Sequence, residues 1–381
     1  MTRRTSIALL AAAALSLAPD AAAAPVLRHQ LTVNGDFTLF GNTLAYDCAT
    51  GANPVVGAEP ADSYAECGSN RSDSGVDVFW RAEPGGSPAS ATAHKSIAVA
   101  DARSSAVLSI PAGAIVRYAR LYWAAQNSAN AYDANVQLAT PDGASTAIAA
   151  DAGVVISVRS PAEYWYQSSA DVTALLRAQP SATGRYTVSG VASRVLLDLE
   201  SETTFDAWWM VVFYEDPADT ALRQLTLFDG LDYVESGAPA DVTLGGFLVP
   251  NGGYDAKLGV VTYEGDASVT GDRLYFQGYR SVDPEPTLLT ALSDAANPAT
   301  NFFNGTRSWL GAARSVAGDL PRMSGAAGTM MSFDLDVIDL KAIAGAIGPG
   351  HDSARIRATS TGDVFALGAF VTSINTLKPS F

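Results

Sequence analysis

Only three histidines occur in the chain, His29, His94 and His351, and no pair of them stands at a zinc-ligand spacing. There is no G-x-S-x-G elbow, no Walker loop and no dinucleotide-binding glycine turn. A Ser/His/Asp set can be written from Ser74, His94 and Asp101, yet residue type alone supports it. A glycosidase needs two carboxyls about 5–9.5 Å apart, and Glu200, Glu202, Asp206, Glu215 and Glu264 are the acids from which such a pair would be drawn. Abundant acids are weak grounds for catalysis, so the chain reads as non-enzymatic.

Binding chemistry has better material. Asp229-Gly-Leu-Asp232, and Glu264-Gly-Asp266 with Asp272, offer the hard oxygens that Ca²⁺ takes in sets of about six to eight. None follows the helix–loop–helix calcium pattern, and turn acids without metal are the plainer reading, so calcium stands as a candidate cofactor only. Tyr164-Trp165-Tyr166 is a dense aromatic cluster whose flat faces could stack on sugars, set against core packing onto the helix predicted after it. Phe302, Phe303 and Trp309 form a second aromatic set, a candidate glycan or partner patch.

The elements that would position these residues are strands. Alternating runs at 31–33, 37–40, 76–80, 107–110, 154–158, 186–188, 225–228, 242–244 and 354–358 are punctuated by turn formers such as Pro141-Asp-Gly143. Asn34-Gly35 predicts a hairpin between the first two runs. Trp208 to Phe213 is apolar on both faces, as a doubly covered central strand would be. Helices are expected at Asp171–Ala178, capped by Ser168 or Ser169, at Asp336–Ala346, and at Pro286–Leu292. Asp171 and Asp336 read as first-turn acids opposing the helix dipole.

Four landmarks occur twice in the same order. Ala119-Arg-Leu-Tyr-Trp123 is echoed by Ala256-Lys-Leu-Gly-Val-Val261, and the strand Val136–Leu138 by Arg273–Phe276. Asp171–Leu176 is echoed by Asp336–Leu340, and the apolar run Trp208–Tyr214 by Val364–Ile374. This predicts an all-β chain of two tandem antiparallel sandwiches, jelly-roll-like, from an internal duplication, with one or two short helices each. The first domain would span 24–218 and carry the one disulfide loop. The second would span 219–381, with an insertion near 283–323.

Arg3 and Arg4, the apolar run Ile7–Leu17 and the alanines at 21–24 form a secretory signal peptide, residues 1–23. No later apolar run reaches the roughly 18 residues of a membrane span, so no transmembrane segment is expected. In an oxidising compartment the only two cysteines, Cys48 and Cys67, pair most simply with each other. A net charge of −15 repels nucleic acid and anionic lipid. A hydrophobic content of 48% against 17% charged residues excludes a disordered chain.

Phe205-Asp-Ala-Trp-Trp-Met-Val-Val-Phe-Tyr-Glu-Asp-Pro217, followed by Arg223-Gln-Leu-Thr-Leu-Phe-Asp-Gly230, resembles the head region of large bacterial surface proteins that carry conserved extracellular repeat arrays. Gly35–Thr43, Ala256–Asp266, Asn297–Asn304 and Gly362–Thr372 are similar to further stretches of such heads. The resemblance implies a β-rich, non-enzymatic module of the cell surface, with no catalytic residues to carry over. No repeat array follows Phe381, so a free secreted protein or an assembly subunit is expected. The function read from the sequence is thus adhesion or structural assembly at the bacterial surface or in the extracellular matrix. Its partners would be other surface or matrix proteins, glycans, or copies of itself. The alternatives are a lectin-like glycan-binding module that uses calcium, and a carbohydrate-active enzyme with paired carboxylates.

Overall fold

Short alternating runs separated by glycine, proline and aspartate turns fold as their period of two dictates, into strands. The computed structural model describes residues 25–48, 55–56, 67, 75–83, 90–159, 163–196 and 203–377, so the signal segment lies outside the described residues. The first half supplies β1 (Val26–Thr43), β2 (Ala45–Tyr46), β3 (Val78–Glu83), β4 (Ser90–His94), β5 (Arg103–Leu108) and β6 (Ile115–Asn127). It continues with β7 (Asn135–Ala139), β8 (Ser145–Ala149), β9 (Ala152–Arg159), β10 (Glu163–Asp171), α1 (Thr173–Arg177), β11 (Gly184–Ser189) and β12 (Asp206–Glu215). The second half supplies β13 (Leu222–Val234), β14 (Ala240–Gly245), β15 (Ala256–Tyr263), β16 (Arg273–Tyr279) and β17 (Thr290–Ala291). It ends with β18 (Arg307–Trp309), β19 (Ala312–Ala313), β20 (Phe333–Asp339), β21 (Ser353–Thr359) and β22 (Phe365–Asn375). The fold is all-β and sandwich-like.

Eleven strands form one hydrogen-bonded path in the order β19-β18-β20-β15-β22-β13-β1-β12-β6-β10-β9. A seven-stranded sheet runs β2-β3-β5-β11-β7-β8 with β4 beside β3, and a four-stranded sheet runs β14-β21-β16-β17. The long path folds back on itself at β1. Residues 26–34 of that strand pair with β13, whereas 35–43 pair with β12. The two arms therefore lie face to face: Trp209 Nε1 on β12 donates to Tyr263 Oη on β15 at 2.8 Å, and Gln167 Nε2 on β10 donates to the Gly368 carbonyl on β22.

The outer face of each arm is covered in turn. Trp208 donates to Ser104 of the seven-stranded sheet, one residue from Trp209 and on the opposite face. Phe228, Leu258, Val260 and Phe370 pack with Leu274, Phe276 and Ile356 of the four-stranded sheet. The result is four stacked β layers with three sealed interfaces. Burying one large aromatic or aliphatic side chain contributes about 1.5–3 kcal/mol, and tryptophans 80, 123, 165, 208 and 209 are all fully buried.

Strand pairing recurs between the halves. β6 lies between β10 and β12, as β15 lies between β20 and β22. β11 lies between β5 and β7, as β21 lies between β14 and β16. Three of the four repeated sequence landmarks fall on corresponding strands: β6 with β15, β7 with β16, β12 with β22.

Several local expectations are corrected. Asn34-Gly35 makes no hairpin; it lies inside an uninterrupted β1, where the strand changes partner. Asp336 starts no helix, because it is a buried residue of β20, and residues 340–346 form turns. Ser168 and Ser169 lie in β10 rather than capping α1, whose N-cap is Val172. Pro286–Leu292 holds only the two-residue strand β17. The 283–323 segment, expected as an insertion of the second half, reaches back to the first: Leu320 bridges to Ser105, and Asn42 Nδ2 donates to the Pro321 carbonyl at 2.9 Å. The Arg307–Asp319 ion pair, buried at 2.7 Å, holds this segment, and Arg307 also donates to the Gly41 carbonyl. Cys48 and Cys67 form the predicted disulfide, with Cα atoms 5.8 Å apart.

A candidate acid-lined site around the 294–306 loop

The period of two in β20 puts Asp334 and Asp336 on one face of the strand, and both are fully buried. Asp334 Oδ1 accepts the backbone N–H groups of Asn304 and Thr306, each at 3.0 Å, and Oδ2 accepts the Thr262 hydroxyl at 3.2 Å. Thr306 Oγ1 lies 2.9 Å from Asn297 Oδ1 and 3.2 Å from Asp336 Oδ1. A hydroxyl carries one hydrogen, so it donates to only one of these oxygens at a time. Asn297 Nδ2 donates to Ser308 Oγ. Side chains thus satisfy a loop whose backbone has no ladder partner.

Burial holds the Asp334 carboxyl well above the ordinary carboxylate range, and the charge of Asp336 adds to it. Burial raises Asp336 likewise, with Asp294 adding to the effect. Asp272 accepts the Phe303 N–H at 2.5 Å and is pushed up by burial to about 6. Asp363 is pushed up to about 8, by burial first and then by the charge of Asp266.

The acids singled out for calcium fall in different surroundings. Asp229 is a structural hub, accepting Tyr122 Oη at 2.7 Å and both contacts of Arg28 Nε. Asp232 is buried at the first paired position after a bulge in β13, and burial lifts it to about 7. Glu264 is buried in a left-handed turn at φ 67°, and Asp266 is half-buried. Among the described residues, no group of three or more His, Cys, Asp or Glu side chains is placed to hold a metal ion.

The aromatic candidates are corrected more firmly. Trp165 is buried edge-on to Phe205, and the buried Tyr166 donates its hydroxyl to the Ala192 carbonyl at 2.6 Å. They belong to β10, inside an arm covered on both faces, so they offer no platform to solvent; only Tyr164 is half-buried. Phe302 and Phe303 are buried as well, with Phe303 packed 4.5 Å from Phe365. Trp309 is half-buried at the edge of the long sheet, and the Arg314 guanidinium lies 4.8 Å over its ring.

The three histidines have structural partners. His29 stacks on Tyr118, His94 Nδ1 accepts the Ser96 N–H, and His351 Nδ1 accepts the Gly348 N–H. Asp206 is fully buried and Glu215 pairs with Arg117, while Ser74, Glu200 and Glu202 lie outside the described residues. Sequence reasoning missed Asp334 and Asp363. The signal for the first was present, since Asp334-Leu-Asp336 is a period-two pair inside an apolar strand.

The sequence matches no protein-family model and no curated protein. The likeness to surface-protein heads therefore rests on the motifs quoted above. No helix among the described residues is long and apolar enough to cross a membrane.

Proposed function

We propose that this chain is a non-enzymatic secreted module of the bacterial surface or extracellular matrix that acts by adhesion or structural assembly. One observation carries the reading: the chain commits its polar and aromatic groups to holding four β layers together as a single block. Tyr122, Trp209, Tyr263 and Gln167 cross-tie the two facing arms. The 283–323 segment and the Cys48–Cys67 bridge add ties outside the sheets. Such investment suits a part that bears load or presents a surface. The recurring strand order and shared landmarks support two jelly-roll-like units that arose by duplication.

Val282 and Leu288, 83% and 86% exposed, stand beside the four-stranded sheet as apolar points for a partner to cover. A second reading keeps one observation in its favour. Trp309 with Arg314 over its ring is a partly open aromatic and cationic pair that would suit an acidic sugar.

Fractionation of the native organism with an antibody to the mature chain, followed by cross-linking and sizing, tests the proposal. Recovery in an outer-surface or high-mass matrix fraction is expected. Recovery solely as a free monomer in the medium would overturn it and direct the work to glycan arrays.

A further inference from the structure

Three loops meet next to the acid-lined site. They are the β15–β16 connection at 264–272, the turn at 300–303 and the turn at 360–363. Gly271 N–H donates to the Thr300 carbonyl at 2.8 Å, and Thr361 N–H donates to the Gly271 carbonyl at 3.1 Å. Asn301 Nδ2 donates to the Ala267 carbonyl at 3.0 Å, and Phe303 N–H donates to Asp272 Oδ2.

Each loop brings one sealed oxygen that lacks a hydrogen-bond partner: Asp272 Oδ1, Asn301 Oδ1 and Asp363 Oδ2. Their residues are 0%, 8% and 5% exposed. In each, the other polar atom is engaged and fixes the orientation, by Phe303 N–H, the Ala267 carbonyl and Val364 N–H respectively. Turning the Asn301 amide over would therefore break an existing bond. Among the described residues, these loops hold no unpartnered buried side-chain donor that could answer the three acceptors. Protonation would relieve the two carboxyls but not the amide, which only accepts at that oxygen. Leaving a buried acceptor unmade is costly.

We propose that Asp272, Asn301 and Asp363 form a binding site for a divalent cation of the calcium type at the junction of these loops. Carboxylate and amide oxygens on irregular loops, without histidine or thiolate, are the donor set Ca²⁺ prefers, and main-chain carbonyls and water complete its shell. Two carboxylates and one amide make the site, and half-buried Asp266 adds negative charge at its rim. The Arg273 charge acts on Asp272 against the negative field of Asp363 and Asp334. The site stands or falls apart from the surface reading.

The test is thermal melting of the chelator-treated mature chain as calcium rises from about 0.01 to about 10 mM, a range that spans extracellular calcium modules, beside equilibrium dialysis of the same chain. The expected result is a saturable rise in melting temperature of several degrees, smaller with magnesium. Asp363→Asn and Asn301→Ala should each weaken the calcium response at least tenfold, and Asp232→Asn, on β13 outside the three loops, should keep it. No calcium bound by the native chain would overturn the proposal. So would a calcium shift left undiminished in both site variants. If either variant fails to fold, the dialysis stoichiometry of the native chain decides, with at least one calcium per chain expected.

Discussion

Asp232 lies on β13 with its Oδ2 buried and unpartnered, and burial alone lifts its carboxyl from 3.8 to about 7. A folded-state value above the unfolded one means that the native chain holds a proton the unfolded chain releases. The associated stability is fully present below about pH 4 and is lost as pH rises through 7. Asp232→Asn removes that loss. It should match the native chain near pH 4 and exceed it at pH 8 by about 4 kcal/mol, read from urea unfolding at the two values. An equal difference at both would show that titration plays no part. Asp363, raised to about 8, acts in the same direction. Little of this was legible in the sequence. Asp229, Asp232 and Asp272 were visible as acids, but whether an acid faces solvent, an arginine or a sealed core depends on which strand lies opposite. For Asp229 that neighbour is Tyr122, 107 residues away.

Among the elements, β1 joins the two arms of the long sheet, and its change of partner falls at Gly35. A Cβ placed there would sit 2.0 Å from the Tyr214 carbonyl oxygen, so any side chain must push β12 away. The facing arms also approach closely at Gly259, where a Cβ would meet the Leu39 side chain at 2.7 Å. Gly35→Ala should therefore cost about 3 kcal/mol in urea unfolding. A loss below about 0.5 kcal/mol, the range of an indifferent surface change, would contradict the close approach. Most strands were legible because alternation is a local signal. The hairpin expected at Asn34-Gly35 failed because turn propensity is also local, while exchanging one partner strand for another is decided by residues nearly two hundred positions away. The helix expected at Asp336 failed for the opposite reason. A run of aspartates between apolar residues fits a strand whose acids have loop amides to bind, and the sequence does not show where that loop returns.

At the scale of the whole molecule, the many alternating runs pointed to an all-β fold, and the repeated landmarks pointed to two related halves. The stacking of the halves was not legible. The apolar run Trp208–Phe213 was read as a strand covered on both faces, yet nothing near it in sequence says that one cover is the other half of the chain. Tyr263 against Trp209, Gln167 against Gly368 and Leu320 against Ser105 are contacts between halves rather than within them. With so large a shared core, neither half should unfold without exposing the other's aromatic face.

A role in bearing load or presenting a surface depends on the two sandwiches behaving as one body. Differential scanning calorimetry of the mature chain is the most direct measurement of that. A single transition whose calorimetric and van't Hoff enthalpies agree is the expected result, shifted as a whole to lower temperature by Gly35→Ala. Two resolved transitions, with Gly35→Ala lowering only one of them, would contradict it and make the halves independent modules on a common strand.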